Sequence, residues 1–167
     1  MTHTFHPTIL REYDIRGIVG STLSAHDAYA LGRSFAALAR SEAVSSIAVG
    51  RDGRTHSQEM QDALVRGLTE GGLDVVRIGM GPSPMLYWAV SELDVDGGIQ
   101  ITGSHNPADY NGFKMLLPGG SVFGAAIKAL GARASEGRWS EGKGQITDED
   151  VMDRYVHRLV EDFKGGE

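Results

Sequence analysis

An α/β fold, with a mixed, mostly parallel sheet and helices on both faces, is predicted by three observations. Short apolar runs alternate with stretches whose apolar residues recur every three or four positions. This gives a β-α-β-α-β-α-β order, which implies parallel strands joined by right-handed crossovers. The last two apolar runs, residues 96–102 and 113–117, are joined by a loop too short for a crossover, so the second should run antiparallel to the first. The chain also holds 23 glycines scattered among turns without a repeat, which marks many loops rather than a low-complexity chain.

Residues 8–14 (TILREYD) read as a strand, and Gly17 and Gly20 make the stretch after it a bend that carries Arg16. Ser24 starts a helix with Asp27 three positions on, a capping arrangement, and Leu31, Phe35 and Leu38 give it one buried face. Residues 46–50 (SIAVG) form a short buried strand that ends in the loop RDGRTH (51–56). A second helix opens at Ser57, carries Met60, Leu64 and Leu68 on one stripe, and stops at Gly71–Gly72, which can supply a left-handed cap. Residues 73–78 are the next strand, followed by the loop GMGP (79–82). Ser83 and Pro84 then start a helix with Leu86, Val90 and Leu93 on its face.

Beyond residue 117 a turn at 118–121 leads to a helix over 125–134 and a glycine-rich, charged and exposed connection over 135–144. Thr147 or Asp148 caps a last helix whose apolar face holds Met152, Tyr155, Val156, Leu159, Val160 and Phe163. That helix either packs on this domain or leads into another. An apolar helix followed directly by Lys164–Gly165–Gly166–Glu167 favours a truncated chain.

Composition narrows the function. The chain has 167 residues, 41% hydrophobic and 23% charged, with a net charge of −6. That balance argues against non-specific nucleic-acid binding, which needs clustered cations, but leaves room for a local anion site. The absence of cysteine excludes disulfides, thiol catalysis and thiolate metal sites. No apolar run reaches the length of a bilayer span, and the N-terminus has neither a cationic start nor an apolar signal core, so an unexported, cytoplasmic protein is expected. There is no phosphate-binding GxxxxGK[ST], no GxGxxG, no HExxH and no acidic calcium loop.

Open α/β sheets bind ligands beyond the carboxyl ends of their strands. The loops 51–56, 79–82 and 103–112 should therefore meet on one rim, and they hold the densest polar chemistry in the chain. His56 and His105 are the histidines that fall there; His3, His6, His26 and His157 read as surface or structural. Ser104 beside His105 is not a triad, because adjacent side chains rarely aim at each other and G-x-S-x-G is missing. A serine can instead carry phosphate, cradled by neighbouring N–H groups and balanced by Lys114 or a divalent cation.

T-G-S-H-N-P at 102–107, followed by D-Y-N-G-F-K at 109–114, resembles the phosphoserine loop of the α-D-phosphohexomutases, and most of all that of the bacterial phosphomannomutase/phosphoglucomutase branch. REYDIRG (11–17), VGRDGR (49–54) and GMGPSP (79–84) resemble further signatures of that family, in the same order. The resemblance implies four domains around a cleft, with residues 1–146 as the first and 147–167 leading towards the second. Ser104 would give its phosphate to a hexose 1- or 6-phosphate and take the other phosphate back, through a hexose 1,6-bisphosphate that also serves as activator. His105 and Lys114 would handle protons or charge. Arg16, Tyr13 and Asn106 would contact the phosphosugar, with Arg16 near the phosphoserine.

A Mg²⁺ would touch the serine phosphate. The family's acidic D-G-D-G-D metal loop is missing here, as are its sugar-selecting and late phosphate-binding loops. The metal would thus be held mainly by the missing second domain and the sugar by the other domains, and this chain alone should have little or no mutase activity. The resemblance does not choose among mannose, glucose and glucosamine phosphates. A stand-alone phosphate-binding module is the alternative. A serine hydrolase is disfavoured because no strained nucleophile turn is signalled.

Overall fold

The computed structural model describes residues 2–164, so the expectation for the last three residues lies outside it. Among the described residues, seven strands form one sheet in the order β1-β5-β4-β2-β3-β7, with β6 pairing β5. The strands are β1 (Ile15–Ile18), β2 (Ser46–Arg51), β3 (Asp74–Met80), β4 (Gly97–Ile101), β5 (Tyr110–Leu117), β6 (Gly120–Ser121) and β7 (Ile146–Asp148). The helices are α1 (Ala25–Ser41), α2 (Ser57–Glu70), α3 (Ser83–Glu92), α4 (Ala125–Glu136) and α5 (Met152–Lys164). Strands β4, β2, β3 and β7 run parallel. Strand β5 lies antiparallel between β1 and β4, as its short connection requires.

The helices cover both faces. On one, Leu31 and Phe35 of α1, Met60 and Leu64 of α2 and Leu130 of α4 pack on Ile47, Val49, Ile99 and Phe113 of the strands. On the other, Met85, Leu86 and Ala89 of α3 meet Ala48 and Ile78, with Met152 and Tyr155 of α5 at the margin. The expected capping box opens α1: the Asp27 N–H donates to the Ser24 hydroxyl, and the Ser24 N–H donates back to the Asp27 carboxylate at 2.8 Å.

Several expectations need correction. Residues 8–14 form turns and one bridge rather than a strand, and the strand is β1, where a bend was expected. Gly17 serves there to make room: a Cβ on it would lie 2.8 Å from the Leu23 Cβ and 2.9 Å from Ile9. The left-handed residue after α2 is Gly72 (φ 92°) alone, since Gly71 keeps right-handed geometry. Helix α3 buries Met85 and Ala89 beside Leu86, which leaves Val90 and Leu93 half-buried.

The connection 135–144 is partly pinned. Arg33 donates to the Ser140 carbonyl and the Glu141 carboxylate, and Arg40 donates to the Glu141 carbonyl at 2.8 Å. Thr147 and Asp148 belong to β7 rather than to a cap; the Asp150 carboxylate accepts from the Met152 N–H at the start of α5. None of the residues of α5 is buried.

Candidate functional site

The turn between β4 and β5 carries Ser104. Its residue is exposed, and its backbone sits at φ 53°, a left-handed geometry that costs an L-residue about 1–2 kcal/mol. The Ser104 N–H donates to the Thr102 hydroxyl at 2.9 Å, and the serine Oγ lies 3.4 Å from the His105 Nδ1. Both facts correct the sequence reading: these neighbours do face each other, and the serine is strained. The strain belongs to a strand-to-strand loop, not to the strand-to-helix elbow of the α/β-hydrolases.

The three rim loops meet as expected. The Gly81 N–H donates to the Arg51 carbonyl at 2.9 Å, and the buried Gln100 amide donates to the Gly81 carbonyl at 2.8 Å. Arg54 reaches from the 51–56 loop under the serine loop and donates to the carbonyls of Ser104, Asn106, Pro107 and Tyr110. Asp52 accepts from Arg54, from the Gly103 N–H and from the Ser57 hydroxyl. Burial alone would raise the Asp52 carboxyl. Its hydrogen bonds from Ser57, the N–H groups of Arg54 and Gly103, and Thr102 outweigh burial and hold it below the ordinary carboxylate range. His56 is structural: it faces the Ala108 carbonyl through Nε2 and the Asn111 amide through Nδ1.

Arg16 lies on β1 and is only 6% exposed, far from the solvated charge an Arg beside Gly usually is. Its guanidinium donates to the Asn106 side-chain carbonyl and to the Asp14 carboxylate, and its buried Nε has no hydrogen-bond partner among the described residues. The Lys114 ammonium sits 3.6 Å from the same Asp14 carboxylate. One carboxylate thus stands between two cations, a local excess of positive charge, and one of those cations, Arg16, holds Asn106, two residues along the loop from Ser104.

Ser104 and Asn106 line a cavity of about 490 Å³ with Asp52 and Arg54. Tyr13, which is 77% exposed and not core, lines a neighbouring cavity of about 280 Å³ with Tyr87, Lys114 and Phe123. Four of the six predicted residues thus line two cavities, Ser104 and Asn106 one and Tyr13 and Lys114 the other. His105 and Arg16 line neither, and Arg16, bonded to Asn106 and to the Asp14 that Lys114 approaches, lies between the two pairs. A larger cavity, of about 700 Å³, lies between α3 and α5 and shares no residue with the serine loop.

Asp14, Asp52, Arg54 and Gln100 were missed from sequence. Asp14, Asp52 and Arg54 stand inside the resembling motifs, which was the available signal. Asp14 pairs with Arg16 only two positions away, but Arg54 finds its loop carbonyls up to 56 positions away, and no local pattern marks those.

The sequence profile described as phosphoglucomutase/phosphomannomutase, alpha/beta/alpha domain I, matches residues 7–140. The chain belongs to the phosphoglucomutase/phosphomannomutase family. A phosphoglucomutase of Neisseria gonorrhoeae is 43% identical over 154 residues, covering 91% of this chain and 34% of the relative. A phosphomannomutase/phosphoglucomutase of Pseudomonas aeruginosa is 39% identical over 160 residues, covering 96% of this chain and 35% of the relative. The solved structure of a phosphoglucomutase/phosphomannomutase family protein from Burkholderia thailandensis superposes with a TM-score of 0.90 at 41% identity, over 95% of this chain and 36% of that one. The chain spans about a third of the length of the curated relatives it matches.

Membership in the phosphoglucomutase/phosphomannomutase family raises the question of Mg²⁺. Among the described residues, no group of three or more His, Asp or Glu is arranged to hold a metal ion. The carboxylates around the serine loop are already engaged, Asp52 by hydrogen bonds and Asp14 by two cations. Among the described residues, the His, Asp and Glu side chains do not by themselves make up a Mg²⁺ site. Among the described residues, no helix is long and apolar enough to cross a membrane.

Proposed function

We propose that this chain is the phosphoserine-bearing first domain of a phosphohexomutase that interconverts hexose 1- and 6-phosphates, with residues 1–146 as that domain and 147–167 leading into the next. The observation that carries this reading is the exposed, left-handed Ser104, with His105 at 3.4 Å and the Arg16–Asn106 pair two residues along the loop. In this reading, a hydroxyl oxygen of the bound sugar phosphate attacks the phosphorus on Ser104. The phosphorus–Oγ bond breaks, the hydroxyl proton passes to His105, and the Lys114 ammonium stabilises the charge on the transferring group. The resulting hexose 1,6-bisphosphate reorients, and the Ser104 Oγ takes back the other phosphoryl group as the proton returns.

Positive charge on Arg16 and Lys114, only partly balanced by Asp14, offsets the repulsion between two phosphates. Tyr13 and Asn106 offer polar contacts to the sugar phosphate. The distal phosphate and the sugar hydroxyls would be held by the remaining three domains, and Mg²⁺ mainly by the second of the four, touching this domain through the phosphate on Ser104, in a cytoplasmic enzyme. The isolated chain is expected to have little or no turnover.

The test is the intact mass and phosphosite map of the gene product from its own cells. A product much heavier than 17.9 kDa with phosphate on Ser104 supports the reading. Ser104→Ala should abolish phosphate labelling. A product ending near residue 167 with a bare serine, or full turnover by the isolated chain, would sink it.

A further inference from the structure

We propose that Arg54 is a positioning residue that fixes Ser104 in its left-handed geometry, acting as an organic cation at the centre of the serine loop. This rests on the reading of Ser104 as the phosphate carrier. A guanidinium has five N–H donors in one plane, and here each has a partner. Nε donates to Asp52 at 3.1 Å. One terminal nitrogen donates to the Pro107 carbonyl at 2.5 Å and the Tyr110 carbonyl at 3.1 Å. The other donates to the Asn106 carbonyl at 2.8 Å and to the carbonyl of Ser104 itself at 3.1 Å.

Four carbonyls converging from seven positions of one loop repel each other unless a cation lies between them. A lysine could not replace that cation, because its three donors point along a cone rather than in a fork. The loop backbone lies directly against the guanidinium: a Cβ on Gly103 would fall 2.4 Å from Arg54. Asp52 completes the clamp by holding the Arg54 Nε and the Gly103 N–H together. Turning Ser104 into an ordinary backbone geometry would pull its carbonyl off Arg54, so the clamp and the strained φ hold each other. With its donors occupied, Arg54 acts on phosphate through the loop and its field, a different role from that of Arg16.

The test uses Arg54→Ala and Arg54→Lys. Amide hydrogen exchange across 103–110 is compared with exchange in β2 and β4, with and without about 20 mM guanidinium, far below denaturing levels. In parallel, Ser104 labelling by glucose 1,6-bisphosphate is followed in the natural gene product. Both variants are expected to speed loop exchange at least about tenfold with the strands unchanged, and to slow labelling about a hundredfold. Guanidinium should restore both in Arg54→Ala only. Unchanged loop exchange in Arg54→Ala, full labelling in Arg54→Lys, or equal loss of loop and strands without rescue would overturn the proposal. If wild type takes no label, the phosphate-carrier reading fails, while exchange and rescue still decide the clamp.

Discussion

Asp14 sets the charge balance beside Asn106, because Arg16 and Lys114 both lean on its carboxylate. The Asp14 and Arg16 side chains are only 11% and 7% exposed. Removing one partner strands the other charge in a poorly solvated place, and Asp14→Ala should cost about 3 kcal/mol, read as a lower urea midpoint. Asp14→Asn, which keeps a hydrogen-bond acceptor, should cost less. Asp52 makes a separate, pH-dependent contribution. Its folded-state pKa is lowered, so its stabilisation is fully present above the ordinary carboxyl value near about 4 and is lost as pH falls through the folded value. Thermal unfolding of wild type should weaken steeply below about pH 4, and Asp52→Asn should flatten that dependence. Parallel pH curves for the two proteins would refute the assignment.

At the scale of elements, α1 is set by its first turn and α2 by its buried stripe. Asp27 closes the capping box and also meets the His3 ring nitrogen at 2.8 Å, which ties the N-terminal segment to the start of α1. Asp27→Ala should cost about 1 kcal/mol for the cap, with a further loss from the freed segment. A loss confined to the segment would show as faster exchange near His3 with no change in α1. Leu64 is fully buried between α2, α1 and the sheet. Leu64→Ala should cost about 3 kcal/mol through lost transfer energy plus the cavity left behind, measurable in the same urea titration.

For the whole molecule, the informative surface is α5. Val156, Leu159, Val160 and Phe163 remain exposed, Phe163 at 85%, at a spacing that gathers them on one face. In the proposed multidomain reading, the rest of the protein covers that face. Within this chain it contributes little to folding, so Leu159→Lys with Phe163→Lys should change stability by no more than about 0.5 kcal/mol. The same pair should reduce self-association at high concentration in sedimentation experiments. A large loss of stability would mean that α5 belongs to this domain's core.

Local pattern carried much of this protein. Helices α1, α2 and α3 and strands β2 and β4 could be read from their periodicity and turn residues, because each is specified by neighbours a few positions away. The serine loop could be read for the same reason: its glycines, Asn and Pro are local, and its motif resembles a known one. Tertiary structure alone decided the rest. It put β1 where glycines suggested a bend, because the room Gly17 provides is needed by Leu23 and Ile9 rather than by a turn. It made β7 an edge strand through pairing with β3, 71 residues earlier at Arg77 and Asp148. It joined Arg16 to Asn106 across 90 positions and Arg54 to four loop carbonyls more than 49 positions away. Charges and carbonyls find such partners only after the sheet has closed, since the energy of each contact depends on burial and geometry that no short window of sequence contains.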